Sequence, residues 1–474
     1  MAHAPSAPPA PLPSPERLRA LLADMATGLL ERDAAVRLAL LAALAGEHVL
    51  LIGPPGTAKS ALARRLHGAF AGVRWFERLL TRFSTPEELF GPLSLKALEE
   101  DRYERQVDGF LPTAGIAFLD EVFKANSAIL NALLTLLNER EFDNGTQRTR
   151  TPLVAVVGAT NEVPSDEALH AFYDRFLVRV PVAPVGDEAF AALLQLNEAA
   201  APTPAQPLTQ GDCAAVSAAA AQVALGDDFM RGCHALRQFL ASRQQPLSDR
   251  RWRQWVGLAR TGAASEGRAV LDAHDLWSAP FVAAATPEDA APLAEWFVHT
   301  WLALPPSQAP WLERAVQAFE KQLEVEQAAP AEDGDDSAGK LALAKSIGLG
   351  QEDEVGMLRI ASKQLEQNLR RRFSAVHVAA RVAQVAAIEA RLADEQSQWQ
   401  KRLAEQQALL APRLWMPPGL VDGLHARIQA ALDLLQSLVA RLAAARAGFE
   451  ALPLREATPE EPAPAPVDLE AALP

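Results

Sequence analysis

His48-Val-Leu-Leu-Ile-Gly53-Pro-Pro-Gly-Thr-Ala-Lys-Ser60 runs from an apolar strand through a Gly/Pro loop into the helix Ala61-Leu-Ala-Arg-Arg-Leu66. A strand, a glycine-bearing turn ending in Lys-Ser and a helix make the context of a phosphate-binding loop. Backbone N–H groups and the helix N-terminus would cradle phosphate, Lys59 would reach the β/γ oxygens, and Ser60 would hold Mg²⁺. Ala58 occupies the place where a second glycine is usual, which costs energy if that position needs φ > 0. Downstream, Ile116-Ala-Phe-Leu-Asp-Glu121 is a second apolar strand, ending in two acids. Asp120 would complete the Mg²⁺ shell, and Glu121 would orient and deprotonate an attacking water. A third strand, Leu153-Val-Ala-Val-Val157, leads to Asn161, which could fix the same water. Short apolar strands alternating with helices predict a parallel sheet covered on both faces, with its ligand at the strands' carboxyl ends.

At 474 residues, and ~150 residues per domain, the chain has room for about three domains. Hydrophobic residues make up 49% and aromatics 6%; with alanine abundant, the balance favours helices packed through small side chains. A formal charge of −14 repels phosphate backbones and anionic lipid, which weighs against nucleic-acid binding and membrane association. Cys213 and Cys233 cannot build a disulfide framework or a Cys-rich zinc site, and a cytoplasmic location fits. The nine histidines lack metal-ligand spacing, and Arg370-Arg-Arg372 reads as a solvated helix face. Apolar runs such as Ala214 to Leu225 fall short of the ~20 residues of a membrane span, so no stable membrane insertion is expected.

The expected organisation is a disordered arm over 1–14, an αβα nucleotide-binding core over 15–198 and an all-α lid over 199–304. A first stalk helix over 305–328, an acidic linker over 329–353, a long-helix bundle over 354–450 and a disordered tail over 451–474 complete it. Residues Pro15 to about Arg37 read as one helix. The stretch 82–112 reads as an inserted hairpin or loop module, and Asn144-Gly145 marks the turn of a hairpin over 141–152.

Together the loop, the acid pair, Ala159-Thr-Asn-Glu162 and Tyr173-Asp-Arg-Phe176 resemble the AAA+ ATPases of the MoxR group. Leu80 to Ser94, Ile129 to Thr135 with Asn138-Glu-Arg140, and Ser248-Asp-Arg-Arg-Trp252 are similar to the RavA subfamily. The likeness covers roughly residues 15 to 304, with a weaker return around Gln396 to Leu442. It implies an α/β P-loop AAA+ core with an all-α lid and a C-terminal helical stalk, assembled as a homo-hexamer with nucleotide between subunits. ATP or ADP with Mg²⁺ would be held by Gly53, Pro54, Pro55, Gly56, Thr57, Ala58, Lys59, Ser60 and Asp120. Glu121 and Asn161 would act on the attacking water, and Arg175 resembles the arginine finger that reaches a neighbour's γ-phosphate. Arg250 resembles the lid arginine called sensor 2, with Arg251 as the alternative. The 82–112 stretch resembles this clade's helix-2 insert.

Such proteins remodel or mature a client enzyme, or insert its metal, in company with a von Willebrand factor A domain protein. RavA-type proteins also carry a compact β-rich domain within the stalk that engages a lysine decarboxylase. Only about sixty residues, 329 to 390, occupy that place here, so the decarboxylase partner is not implied. Two other functions share these motifs: a nucleotide-switched scaffold with incidental turnover, and an AAA+ nucleic-acid motor.

Overall fold

The computed structural model describes residues 11–164, 166–196, 203–301, 309–329, 372–454 and 462–467. The start of the expected arm, nearly all of the acidic linker, the residues from 354 to 371 and most of the tail lie outside them.

The described chain opens with two helices rather than one, α1 (Pro15–Ala26) and α2 (Asp33–Ala45). The break has a physical cause: Gly28 and Glu31 both take positive φ between them. A left-handed residue cannot continue an α-helix. Next come β1 (Val49–Ile52), α3 (Lys59–Gly68), β2 (Trp75–Leu79), β3 (Ile116–Asp120), α6 (Ser127–Glu139), β6 (Ala155–Thr160), α7 (Glu167–Tyr173) and β7 (Val178–Pro181). Five parallel strands pair in the order β2-β3-β6-β1-β7. Helices cover the sheet, and the fully buried strands β1 and β6 are the continuous apolar runs that a doubly covered sheet requires. The order puts β6 between β1 and β3, so the ends of those strands form one row.

Between β2 and β3 the inserted stretch folds as two short helices, α4 (Pro86–Phe90) and α5 (Leu95–Glu99). An antiparallel bridge of Leu93 with Arg105 closes the ends around α5. The second insertion is the expected hairpin, β4 (Glu141–Asn144) with β5 (Gln147–Arg150), turning at Gly145 with φ +65°.

After β7 come α8 (Asp187–Leu194), α9 (Gln210–Ala220), α10 (Asp227–Ser242), α11 (Asp249–Ser265), α12 (Ala279–Val282) and α13 (Pro287–Trp301). The region is not purely helical, because Ala224–Leu225 and Val270–Leu271 pair as two short parallel strands. Cys213 and Cys233 are free, and burial pushes both thiols up to about 11.

The chain divides into two compact units, and the division does not follow the sequence. Residues 1–303 and Leu410–Val421 form one; Leu304–Leu409 and Asp422–Pro474 form the other. In the second unit, α14 (Ala309–Ala328), α15 (Ala375–Leu410) and α16 (Pro418–Glu450) supply a helical bundle. Its ties include Arg441 to Glu320, Arg446 to Glu389, and Arg381 with His377 on Glu326.

Among the described residues, one helix has the length and composition to cross a membrane. A window of α16 has mean hydropathy 1.3. Much of that value comes from alanine, while Leu424, Ile428, Leu432, Leu435, Leu438, Leu442 and Phe449 form a buried stripe at helical spacing. That stripe is the pattern of a bundle helix.

Candidate nucleotide site

Strand β1 delivers the chain to Gly53, where the backbone is packed so closely that a Cβ would stand 2.0 Å from the Val182 carbonyl oxygen. No other residue fits there. Gly56 takes φ +81° at the tip, and Thr57 Oγ1 donates to the Pro54 carbonyl at 2.9 Å to close the turn. Ala58 is left-handed, at φ +65° and ψ +23°, immediately before α3. The position does need positive φ, and alanine bears the strain that glycine would avoid.

Lys59 is 8% exposed. Its ammonium donates to the Gly53 and Pro54 carbonyls at 2.5 and 2.9 Å and to Asn161 Oδ1 at 3.4 Å. Burial lowers its pKa, while Asp120 and Glu121 pull the other way. Asn161 follows β6 and uses its other amide atom: Nδ2 donates to Glu121 Oε1 at 2.6 Å. Glu121 follows β3 in a left-handed conformation, φ +52°. The peptide N–H of Glu121 donates to Asp120 Oδ1 at 3.0 Å, and Lys124 pairs with Glu121 Oε2 at 3.3 Å. Lys59 at the start of α3, Asn161 after β6 and Glu121 after β3 are therefore joined by direct contacts.

Ser60 sits in the first turn of α3, and its hydroxyl makes no hydrogen bond among the described residues. Asp120 uses only Oδ1. Two hard oxygen donors thus remain unspent beside a lysine that senses Asp120 electrostatically, a donor set suited to Mg²⁺.

Arg32 is a residue that sequence reasoning missed. Only 7% exposed, it donates through Nε to the Thr57 carbonyl at 3.3 Å and through Nη2 to Ala183 at 2.5 Å. It ties the phosphate loop to the segment after β7. Nothing local marks it, because its partners lie 25 and 151 positions away.

Arg175, half-buried in the turn before β7, makes no side-chain hydrogen bond or ion pair among the described residues, and its Nε is buried without a partner there. Its neighbours in the Tyr-Asp-Arg-Phe string are structural. The Tyr173 ring lies 3.8 Å under the Arg179 guanidinium, Asp174 pairs with Arg251 at 3.3 Å, and Phe176 is buried against Gly158.

Arg250 and Arg251 separate clearly. Arg251 is 3% exposed and donates to the Val282, Phe176 and Leu177 carbonyls at 2.7, 3.2 and 2.6 Å. It is an internal tie between α11 and the strand entering the sheet. Arg250 is exposed, donates to Asn138 Oδ1 at 2.8 Å and lines a cavity with Glu47, which precedes β1. It lies at the opposite end of β1 from the phosphate loop, roughly 13 Å along a four-residue strand. Within one chain Arg250 therefore stands apart from the phosphate loop, and Arg251 is the arginine committed to packing.

Residues 16–215 match the family model described as the MoxR domain in the MoxR-vWA-beta-propeller ternary systems, and residues 230–297 match the AAA lid domain. Over residues 16–297 the chain is thus similar to MoxR-type AAA+ ATPases. An uncharacterized protein of Methanocaldococcus jannaschii is 41% identical over 252 residues, which is 52% of this chain and 66% of that protein. A second uncharacterized protein of the same organism is 47% identical over 184 residues, 38% of this chain and 48% of that one. Protein MoxR of Paracoccus denitrificans is 31% identical over 170 residues, 33% of this chain and 48% of its own length. The matches thus span between about half and two thirds of these relatives. Both family models fall within residues 16–297, and the second helical unit lies outside them.

Proposed function

We propose that this chain hydrolyses ATP with Mg²⁺ in a ring of identical subunits and uses the cycle to remodel or mature a partner protein. The observation that carries the reading is the joined set of Lys59, Asn161 and Glu121 at the ends of β1, β6 and β3. Lys59 holds the β/γ-phosphate oxygens once it exchanges the Gly53 and Pro54 carbonyls for them. Glu121 takes the proton of the attacking water, which Asn161 positions. Ser60 and Asp120 would hold Mg²⁺, which would supply positive charge against the leaving phosphates.

Arg175 serves the neighbouring subunit. Its string-mates are held by contacts within the chain, whereas the half-buried Arg175 guanidinium makes no hydrogen bond or ion pair among the described residues, which leaves its donors for a partner across an interface. Arg250, which stands apart from the loop of its own chain, serves as the lid arginine toward the nucleotide of a neighbouring copy. The RavA-like kinship rests on Leu80 to Ser94 and Ser248 to Trp252. A von Willebrand factor A domain companion is supported by the wording of the matched family and by the two insertions over 82–112 and 141–152.

The test is ATPase rate against protein concentration for wild type and Arg175→Ala, with mass photometry on the same samples. Specific activity should rise as hexamers appear. Arg175→Ala should form rings and lose about 10³-fold or more in turnover. Turnover independent of assembly would replace this reading with a nucleotide-switched scaffold.

A further inference from the structure

A cavity lies toward the other end of β1 from the phosphate loop. It has a volume of about 670 Å³, between the end of α2, α9 and the first part of α11. That size accommodates a nucleotide-sized ligand. Arg250, Arg253, Gly257 and Arg260 line it at intervals of three and four along α11, so they share one helix face about 15 Å long.

Three arginines therefore look into one space, and little there uses them. Arg250 donates to Asn138. Arg253 is exposed and makes no hydrogen bond or ion pair among the described residues, and the Nε of Arg260 is buried without a partner. The acidic lining is Asp249 and Glu47, and Glu47 already accepts a hydrogen bond from Gln254 at 2.8 Å. Bulk is also missing: a Cβ at Gly257 would meet nothing within 4 Å, and the wall from α9 is Ser217, Ala220 and Ala221. Arginines on one stripe, facing small side chains across a cavity, suit a ligand that carries several anionic oxygens in a row. Guanidinium forks bind phosphate bidentately.

We infer that this cavity binds a phosphate-bearing anion of about nucleotide size, separately from the phosphate loop, with Arg253 and Arg260 as its main contacts. The inference does not depend on ATP hydrolysis, and its test removes the loop from consideration.

The probe is inorganic tripolyphosphate, titrated calorimetrically into the full chain carrying Lys59→Ala. One site per chain should remain. Arg253→Gln or Arg260→Gln in that background should weaken it about tenfold while the thermal transition stays in place. Sulfate at matched ionic strength should bind much more weakly, because it cannot span two guanidinium groups. Absence of binding to the Lys59→Ala chain, or binding that neither arginine variant weakens, would overturn the inference. Equal affinity for sulfate would do the same. Arg253 is solvent-exposed, so its variant carries the test even if Arg260→Gln disturbs folding.

Discussion

Ala58 holds a conformation that its side chain opposes, φ +65° at the entrance to α3. A left-handed alanine costs roughly 1–2 kcal/mol, and glycine there would give back about 0.4–1 kcal/mol through the freedom it adds to the unfolded chain. Ala58→Gly should therefore stabilise the module by about 0.5 kcal/mol, read from the midpoint of a urea transition. Ala58→Val should cost more than 1 kcal/mol and weaken nucleotide binding, since a β-branched residue tolerates that region worst. A midpoint lowered by Ala58→Gly would contradict this account. The departure at Ala58 was visible in the sequence; the sign of φ was not. Much of the rest of the loop was legible because its chemistry is local: Gly53, Lys59 and Ser60 act within one turn. Arg32 was illegible because it acts on Thr57 and Ala183 through the fold alone.

At the scale of the element, strands β1, β3 and β6 could be read because full burial demands uninterrupted apolar runs. Strands β2 and β7 were missed for the same reason: Trp75-Phe-Glu-Arg-Leu79 is a partly exposed edge, and Val178-Arg-Val-Pro181 carries a charge in its middle. That charge is Arg179, buried against the Tyr173 ring and bonded to the Ala284 carbonyl at 3.2 Å.

The amino end of β1 holds two groups whose titrations oppose each other. His48 accepts from the Val156 N–H at Nδ1 and donates from Nε2 to the Leu137 carbonyl, so the neutral ring is the one that fits. Burial lowers its pKa to about 3. Its contribution is present above the unfolded value near 6.5 and is lost as pH falls toward 3, by up to about 1.4 kcal/mol per pH unit. Burial raises Glu47 to about 7. The folded state then takes up that proton before the unfolded chain does, so between pH 7 and about 4.5 Glu47 adds stability as pH falls, at a similar slope. Glu47→Gln should remove this compensation. Urea titrations between pH 7 and 5 should show the variant losing stability relative to wild type by up to about 1.4 kcal/mol per unit. Parallel curves would mean that Glu47 is charged throughout.

For the whole molecule, the instructive segment is the one that leaves its own neighbourhood in the sequence. Leu410–Val421 joins two bundle helices yet belongs to the compact unit of residues 1–303. The sequence showed only a Pro-Pro-Gly turn; nothing local reveals that its side chains complete a distant core. Trp415 is 1% exposed and donates to Ser265 Oγ at 2.8 Å. Arg413, 8% exposed, pairs with Asp275 at 2.8 Å and with Asp272. The Glu266 carboxylate accepts from the Leu414 and Trp415 amides at 2.6 and 3.2 Å. Glu266 and Asp275 are themselves buried, so a chain ending at Ala303 would lose the tryptophan and also strand two acids with less compensation. Loss of a buried tryptophan alone costs about 3–5 kcal/mol, and removal of a buried ionic partner costs a similar amount. The shortened chain should therefore melt well below the first transition of the full chain in calorimetry. A synthetic peptide covering residues 410–421 should raise its melting temperature in a concentration-dependent way, and the same peptide with Trp415→Ala should not. Equal melting temperatures for the two chains would show that the AAA+ module is complete without the turn, and that Arg413 and Trp415 contribute little to its core.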